Sequence, residues 1–239
     1  MKSYMNWSGG KDSALALYHV QKEQSNKIDC LVTNINSYYD RISMHGVRRD
    51  LLEQQASSIG IPLKKVFLPQ EPSMKEYEKL LGETTEELYN EGYRKAIFGD
   101  IFLEDLKKYR EENLKSFRME CGFPLWKRNT KDLLNEFLDL GFKTIVVCIN
   151  SKYLPESFCG RIIDKKFIED LPENVDPCGE NGEFHTFVFD GPIFKTPMNF
   201  TRGEITYRTY KAPKVKEDNC FTTPHEADYG FYFCDLNSL

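Results

Sequence analysis

The densest chemical signal is Ser8-Gly9-Gly10-Lys11-Asp12-Ser13. Two adjacent glycines let a backbone approach an anion without an intervening Cβ. A following helix supplies unpaired N–H groups and the positive end of its dipole. Ser8 and Ser13 add hydroxyl donors and Lys11 adds charge, while Asp12 is placed to hold Mg²⁺ or to cap the helix. That set suits phosphate binding. It is neither a G-x-x-x-x-G-K-[ST] nucleotide loop nor a G-x-G-x-x-G dinucleotide fingerprint. The plain alternative is a turn capped by Asp12 or Ser13.

A second cluster is Asp176-Pro-Cys178-Gly179-Glu180-Asn181-Gly182-Glu183-Phe-His185-Thr186. Glu180, Glu183 and His185 fall within one short loop among Gly179 and Gly182. Carboxylates there can hold an ammonium ion or accept protons from an attacking amine, and a histidine can act as acid or base. The same residues also fit a solvated turn with a structural histidine. Cys178 reads as a nucleophile or a packed thiol; it has no C-x-x-C partner, which favours packing. His45, followed by Gly46, Arg48 and Arg49, fits contact with a ligand as well as a helix start. Tyr38-Tyr39 fits a stacking platform or a surface pair.

These residues need a frame. The first 150 residues alternate strand and helix patterns. Strands are expected at Tyr4–Trp7, Ile28–Ile35, Leu63–Leu68, Lys95–Phe98 and Thr144–Ile149. Helices are expected at 12–24, 47–59, 77–88, 103–120 and 131–140, with Gly60 and Gly141 as stops. This predicts a doubly wound, five-stranded parallel α/β sheet, in which ligands bind beyond the carboxyl ends of the strands. After residue 150, Pro, Gly and aromatic residues become dense. Val175–Pro192 reads as turn-rich, and 204–210 and 230–233 as strands. The expected division is 1–150, a nucleotide-binding domain, and 151–239, a smaller α+β domain that binds the acceptor. Trp126 is expected as a core anchor between them, and His19 and His225 as structural.

The balance of 32 Lys+Arg against 37 Asp+Glu gives a net charge of −5, which argues against nucleic acid as a partner. No apolar run is long enough to span a bilayer and the first residues lack a signal peptide's apolar stretch, so a cytoplasmic protein is expected. Seven cysteines without C-x-x-C spacing disfavour a disulfide framework or a zinc site.

The Ser8–Ser13 loop resembles the PP-loop of the N-type ATP pyrophosphatases. Together with Cys178-Gly-Glu-Asn-Gly-Glu-Phe-His-Thr186 the chain resembles the diphthine–ammonia ligase family. Met44-His-Gly46, Gly99-Asp-Ile101, Pro124-Leu-Trp126, Gly160-Arg161 with Asp164, and Asp190–Phe194 also fit, so the resemblance covers about residues 1–194. Lys127 stands where the family more often has glycine, and Glu-Asn-Gly-Glu-Phe-His-Thr resembles the bacterial branch.

The resemblance implies a PP-loop fold and an amide-forming ligase that uses ATP, Mg²⁺ and ammonium and releases AMP and pyrophosphate. Its acceptor would be the diphthine of elongation factor 2 in a eukaryote or archaeon, and another carboxylate in a bacterium. Ser8, Gly9, Gly10, Lys11, Asp12 and Ser13 would hold the phosphates, with Gly99 and Asp100 bordering the nucleotide. Glu180, Glu183, His185 and Asp12 would act in catalysis, Asp12 also toward the metal. His45, Gly46, Cys178, Gly179, Asn181 and Gly182 would face the acceptor. Rival readings are an ATP-dependent tRNA-modifying enzyme, which needs a reactive cysteine pair and a basic face, and a non-catalytic ATP- or AMP-binding module. A homodimer is left open.

Overall fold

The structure, a computed structural model, describes residues 1–23, 27–210 and 229–239. Gln24, the expected end of the first helix, and Cys220 and His225 lie outside the described residues.

The chain begins β1 (Lys2–Asn6), α1 (Lys11–Glu23), β2 (Ile28–Asn36), β3 (Arg41–Ile42), α2 (Arg49–Ile59), β4 (Leu63–Leu68), α3 (Met74–Asn90) and β5 (Tyr93–Ile97). It continues with α4 (Glu104–Ser116), β6 (Glu120–Gly122), α5 (Thr130–Asp139) and β7 (Lys143–Asn150). A single 3₁₀ turn follows at Glu156–Phe158, then α6 (Lys165–Asp170), β8 (Phe184–Asp190), β9 (Phe200–Tyr210) and β10 (Tyr229–Ser238).

Five strands form a parallel sheet in the order β4-β2-β1-β5-β6, and the short β3 adds antiparallel to the end of β2. Both faces are covered, so the strands read as nearly continuous apolar runs. The period of two still sorts them. Met5 and Leu31 join one core with α1, α2 and α5, whereas Tyr4, Cys30 and Val32 join another under α3 and α4. Helix ends follow local chemistry. Ser73 and Glu76 form a reciprocal capping box on α3, and Gly60, at φ 81°, closes α2.

The second sheet is antiparallel, in the order β8-β7-β10-β9. The Thr144–Ile149 run was expected as the fifth parallel strand; as β7 it belongs instead to this second sheet. A continuous apolar run marks a strand buried on both faces, and a central antiparallel strand satisfies that as well as a parallel one. The fifth parallel strand is the three-residue β6, within and just after the segment expected to be one long helix. β8 emerges from the segment read as turn-rich. The core under α1 and α2 runs on into β7 and β8 without a break, so the two sheets share apolar packing. Leu125, fully buried, supplies the anchor expected of Trp126, which is half-buried against Phe123 and Lys107.

Lys127 adopts φ 58°, a left-handed conformation that favours glycine. Its amide donates to the Ile101 carbonyl at 2.7 Å, which ties the segment before α5 to the loop after β5.

Candidate active site

The PP-loop lies between β1 and α1, at the carboxyl end of the sheet, as the switch-point rule directs. Gly10 N–H donates to Ser8 Oγ at 3.2 Å, Ser13 Oγ donates to the Gly10 carbonyl at 2.9 Å, and the two serine hydroxyls lie 3.2 Å apart. A Cβ at Gly10 would meet His45 Cε1 at 2.9 Å and the Thr186 carbonyl at 3.2 Å. A Cβ at Gly99 would meet the backbone of Asp12 and Ser13 at 3.0 Å. Close approach of three segments therefore requires glycine at both places.

The second sheet meets this loop along β8. Val188 N–H donates to the Gly9 carbonyl at 2.9 Å, and Lys11 N–H donates to Thr186 Oγ1 at 3.0 Å. Gln55 of α2 joins both sides. Its Nε2 donates to the Gly9 carbonyl at 3.0 Å and the Val188 carbonyl at 2.7 Å, and its Oε1 accepts from Trp7 Nε1 at 2.7 Å. Gln55 is fully buried and uses three of its hydrogen-bonding sites, an arrangement that fixes geometry because leaving any of them unpaired is costly.

Lys11 is only 4% exposed. Its Nζ donates to both Asp12 oxygens, at 3.0 and 2.8 Å, and to the Cys178 carbonyl. Burial opposes the ammonium, yet Asp12 and the charges near Cys178 and Glu180 outweigh it and raise its pKa. Burial raises the Asp12 pKa, against the pull of Lys11.

The 176–186 loop is built around two carboxylates. Asp176 Oδ2 accepts the amides of Cys178 at 3.0 Å and Glu180 at 3.1 Å. Glu183 was expected to act in catalysis. It is 1% exposed and accepts from Asp176 N, Asn181 N and Asn181 Nδ2 at 2.9–3.1 Å, so its carboxylate shapes the loop from inside. Gly179 and Gly182 turn the chain at φ 69° and 83°.

Glu180 differs. It accepts one hydrogen bond, from Ile101 N at 2.7 Å. Burial and the nearby Asp12 charge push its pKa up to about 7. A carboxylate poised there can take a proton near neutrality. His45 and His185 stack with centroids 4.7 Å apart and planes 32° apart. His45 Nδ1 donates to the Thr186 carbonyl at 3.1 Å, which fixes its tautomer. Burial lowers the His45 pKa to about 4, and burial together with His45 pushes that of His185 well down, so both rings are neutral at pH 7.

Other expected residues lie further out. Gly46 packs against Phe233 of β10. Asp100, beside Gly99, turns to α4, where it accepts a hydrogen bond from Arg110 Nη2 at 3.0 Å and forms an ion pair with that guanidinium. Cys178 is buried, with Sγ on the Thr130 carbonyl at 3.3 Å and its pKa raised by burial, as a packed thiol would be. Among the described residues, no three His, Cys, Asp or Glu side chains gather to hold a metal by themselves. The hard oxygens of Asp12, with Asp176 within electrostatic reach, nevertheless suit Mg²⁺, which commonly takes one or two carboxylates and completes its shell with phosphate and water. No helix among the described residues is long and apolar enough to cross a membrane.

Gln55, Thr186 and Asp235 were not singled out by role from the sequence. Gln55 leaves a trace there, a polar residue on the apolar Leu52-Ala56-Ile59 face of α2.

Comparison with known proteins agrees with this geometry. The chain is 28% identical over 142 residues to the bovine diphthine–ammonia ligase, covering 54% of this chain and 53% of that one. It is 26% identical over 218 residues to the mouse enzyme, covering 79% and 78%. It is 25% identical over 231 residues to the fission yeast (Schizosaccharomyces pombe) enzyme, covering 86% of this chain and 38% of that one. The matched stretch thus spans about half of the bovine relative and less of the yeast one. Residues 1–119 match the diphthamide synthase N-terminal domain and residues 129–216 its C-terminal domain, so the chain belongs to the diphthamide synthase family.

Proposed function

We propose that the protein is an ATP-dependent amide ligase of the diphthine–ammonia ligase type. A substrate carboxylate oxygen attacks the α-phosphorus of ATP and pyrophosphate leaves. Ammonia then attacks the acyl-adenylate carbon, and AMP leaves. The observation that carries this reading is the apposition of the PP-loop to the 176–186 loop, which sets Glu180 in the field of Lys11 and Asp12.

In this reading Ser8, Gly9, Gly10, Lys11 and Ser13 hold the ATP phosphates at the start of α1, and Gly99 lets the β5 loop close on them. Asp12, which pairs with Lys11, would hold Mg²⁺, and the ion would offset the phosphate charge. Glu180 accepts the proton that the attacking nitrogen loses. The neutral His45–His185 pair, with the loop turns at Gly179, Asn181 and Gly182, borders the acceptor. Most of the rate then comes from positioning and from fixed charge. In this reading the parallel sheet serves the nucleotide and the antiparallel sheet, which begins at β7 (Lys143) and not after residue 150, serves the acceptor.

The relatives' name points to diphthine as acceptor. The Glu180–Thr186 spelling of the motif, which resembles the bacterial branch, supports a bacterial-type member acting on a different carboxylate. The test is the nucleotide product. The protein is incubated with ATP, Mg²⁺ and ammonium, and with either diphthine-bearing elongation factor 2 or a small-molecule extract. AMP with pyrophosphate, dependent on ammonium and acceptor, is expected. ADP with phosphate would overturn the adenylate route, and the arm that supports turnover identifies the acceptor class.

A further inference from the structure

The second sheet has two edges, and they are treated differently. The β8 edge is occupied by the PP-loop through the Val188 amide and the Gly9 carbonyl. β9, at the other edge, pairs with β10 alone among the described strands. The edges of the parallel sheet are guarded in familiar ways. β6 has three residues, and β4 carries Lys64 and Lys65, both paired with glutamates. β9 is not short, and its charges, Arg202, Glu204 and Arg208, are of mixed sign. It runs for 11 residues, Phe200-Thr-Arg-Gly-Glu-Ile-Thr-Tyr-Arg-Thr-Tyr210, rich in strand-forming types. On one face it exposes Ile205 (39%) and Tyr207 (52%), the latter packed against Tyr232 of β10.

We propose that β9 is a self-association edge, pairing antiparallel with β9 of a second copy so that two four-stranded sheets become one of eight. The sequence of β9 complements itself in one register. With the two-fold axis at Thr206, Ile205 faces the partner's Tyr207 on one side of the sheet. Glu204 faces the partner's Arg208 on the other, and each pair occurs twice. Moving the axis one residue toward the N-terminus sets Arg202 against the partner's Arg208. Moving it two sets Glu204 against the partner's Glu204. Directly opposed like charges are destabilising, so these alternatives are disfavoured. The contact would cover exposed apolar side chains and pair the strand's outward N–H and C=O groups. It would leave the PP-loop, at the opposite edge, free for substrates. The proposal does not depend on the enzymatic reading.

Light scattering on a sizing column tests it with the full chain. The expected result is a mass twice the 27.9 kDa of one chain. Ile205→Lys with Tyr207→Lys should halve that mass; the charge variants that follow leave Tyr207 against Tyr232, so they keep the test separate from any loss of fold. Glu204→Arg should weaken association by setting arginine against arginine, and adding Arg208→Glu should restore it, since only this register pairs the two. A wild-type chain that is monomeric even in a concentrated stock, or a dimer that survives the double lysine variant, would overturn the proposal.

Discussion

Thr186 accepts the backbone amide of Lys11 through its Oγ1 at 3.0 Å. The amide belongs to the first residue of α1, where a helix has no internal partner to offer. A residue of the second sheet thus completes the Ser8–Ser13 loop of the first. Replacing the hydroxyl with a methyl, Thr186→Val, keeps the volume and leaves a buried donor unpaired. A loss of about 1–3 kcal/mol is expected from denaturant unfolding. The apparent KM for ATP should rise with it. A variant with wild-type stability and KM would show that the contact is incidental.

Glu180 makes the clearest prediction in pH. Its folded pKa of about 7 lies above its ordinary value of 4.5, raised first by burial and then by Asp12. The fold therefore favours the protonated form. Any stability tied to this group is present below 4.5 and declines as pH rises from there through about 7. Catalysis runs the other way, because a proton acceptor must be ionised. AMP formation should rise with pH through about 7, and Glu180→Gln should remove that limb and lower turnover about 10²–10⁴-fold. A Glu180→Gln enzyme with a wild-type pH profile would remove Glu180 from the chemistry.

Much of this was legible beforehand for definite reasons. The Ser8–Ser13 segment is contiguous, so spacing alone marked it as a candidate, and Gly60 ends α2 where a left-handed stop was expected. What failed was long-range. Nothing in Thr144–Ile149 says whether its neighbours will be parallel, and β7 went to the antiparallel sheet. Glu180 and Glu183 look equivalent in sequence, yet one faces the phosphate loop and the other is consumed by three loop N–H groups. Asp100 was read by its neighbour Gly99, while its carboxylate follows Arg110 on α4. Partners distant in the chain decide these cases, and local pattern carries no trace of them.

Lys127 offers a test of local strain. It holds φ 58°, which costs a side-chain-bearing residue about 1–2 kcal/mol. Its ion pair with Glu104, at 2.9 Å, is more than 60% exposed on both sides and contributes little. Lys127→Gly should therefore stabilise the protein by about 1 kcal/mol in chemical denaturation, since the backbone hydrogen bond to the Ile101 carbonyl is retained. Lys127→Ala should gain nothing, because alanine keeps the Cβ. A stabilising alanine variant would mean that the side chain, not the dihedral angle, was unfavourable.

Asp235 ties the last strand to the parallel sheet. Its carboxylate accepts from Arg41 Nη1 at 2.7 Å and from Arg48 Nε and Nη2 at 3.1 and 2.6 Å, so β10 is clamped to β3 and the start of α2. Burial works against the ionised form, but the hydrogen bonds from Arg48 and Arg41 outweigh it and hold the pKa down at about 2. The folded pKa lies below the ordinary 3.8, so the stabilisation is complete above 3.8 and is lost as pH falls through about 2. Arg48 is 42% exposed, which screens the pair and brings the expected contribution to about 1 kcal/mol. Asp235→Asn should cost that much at pH 7 and should flatten the acid limb of a stability–pH curve between about 4 and 2. If the variant instead keeps the wild-type acid slope, the clamp is not what titrates there, and the two arginines hold β10 through their packing alone.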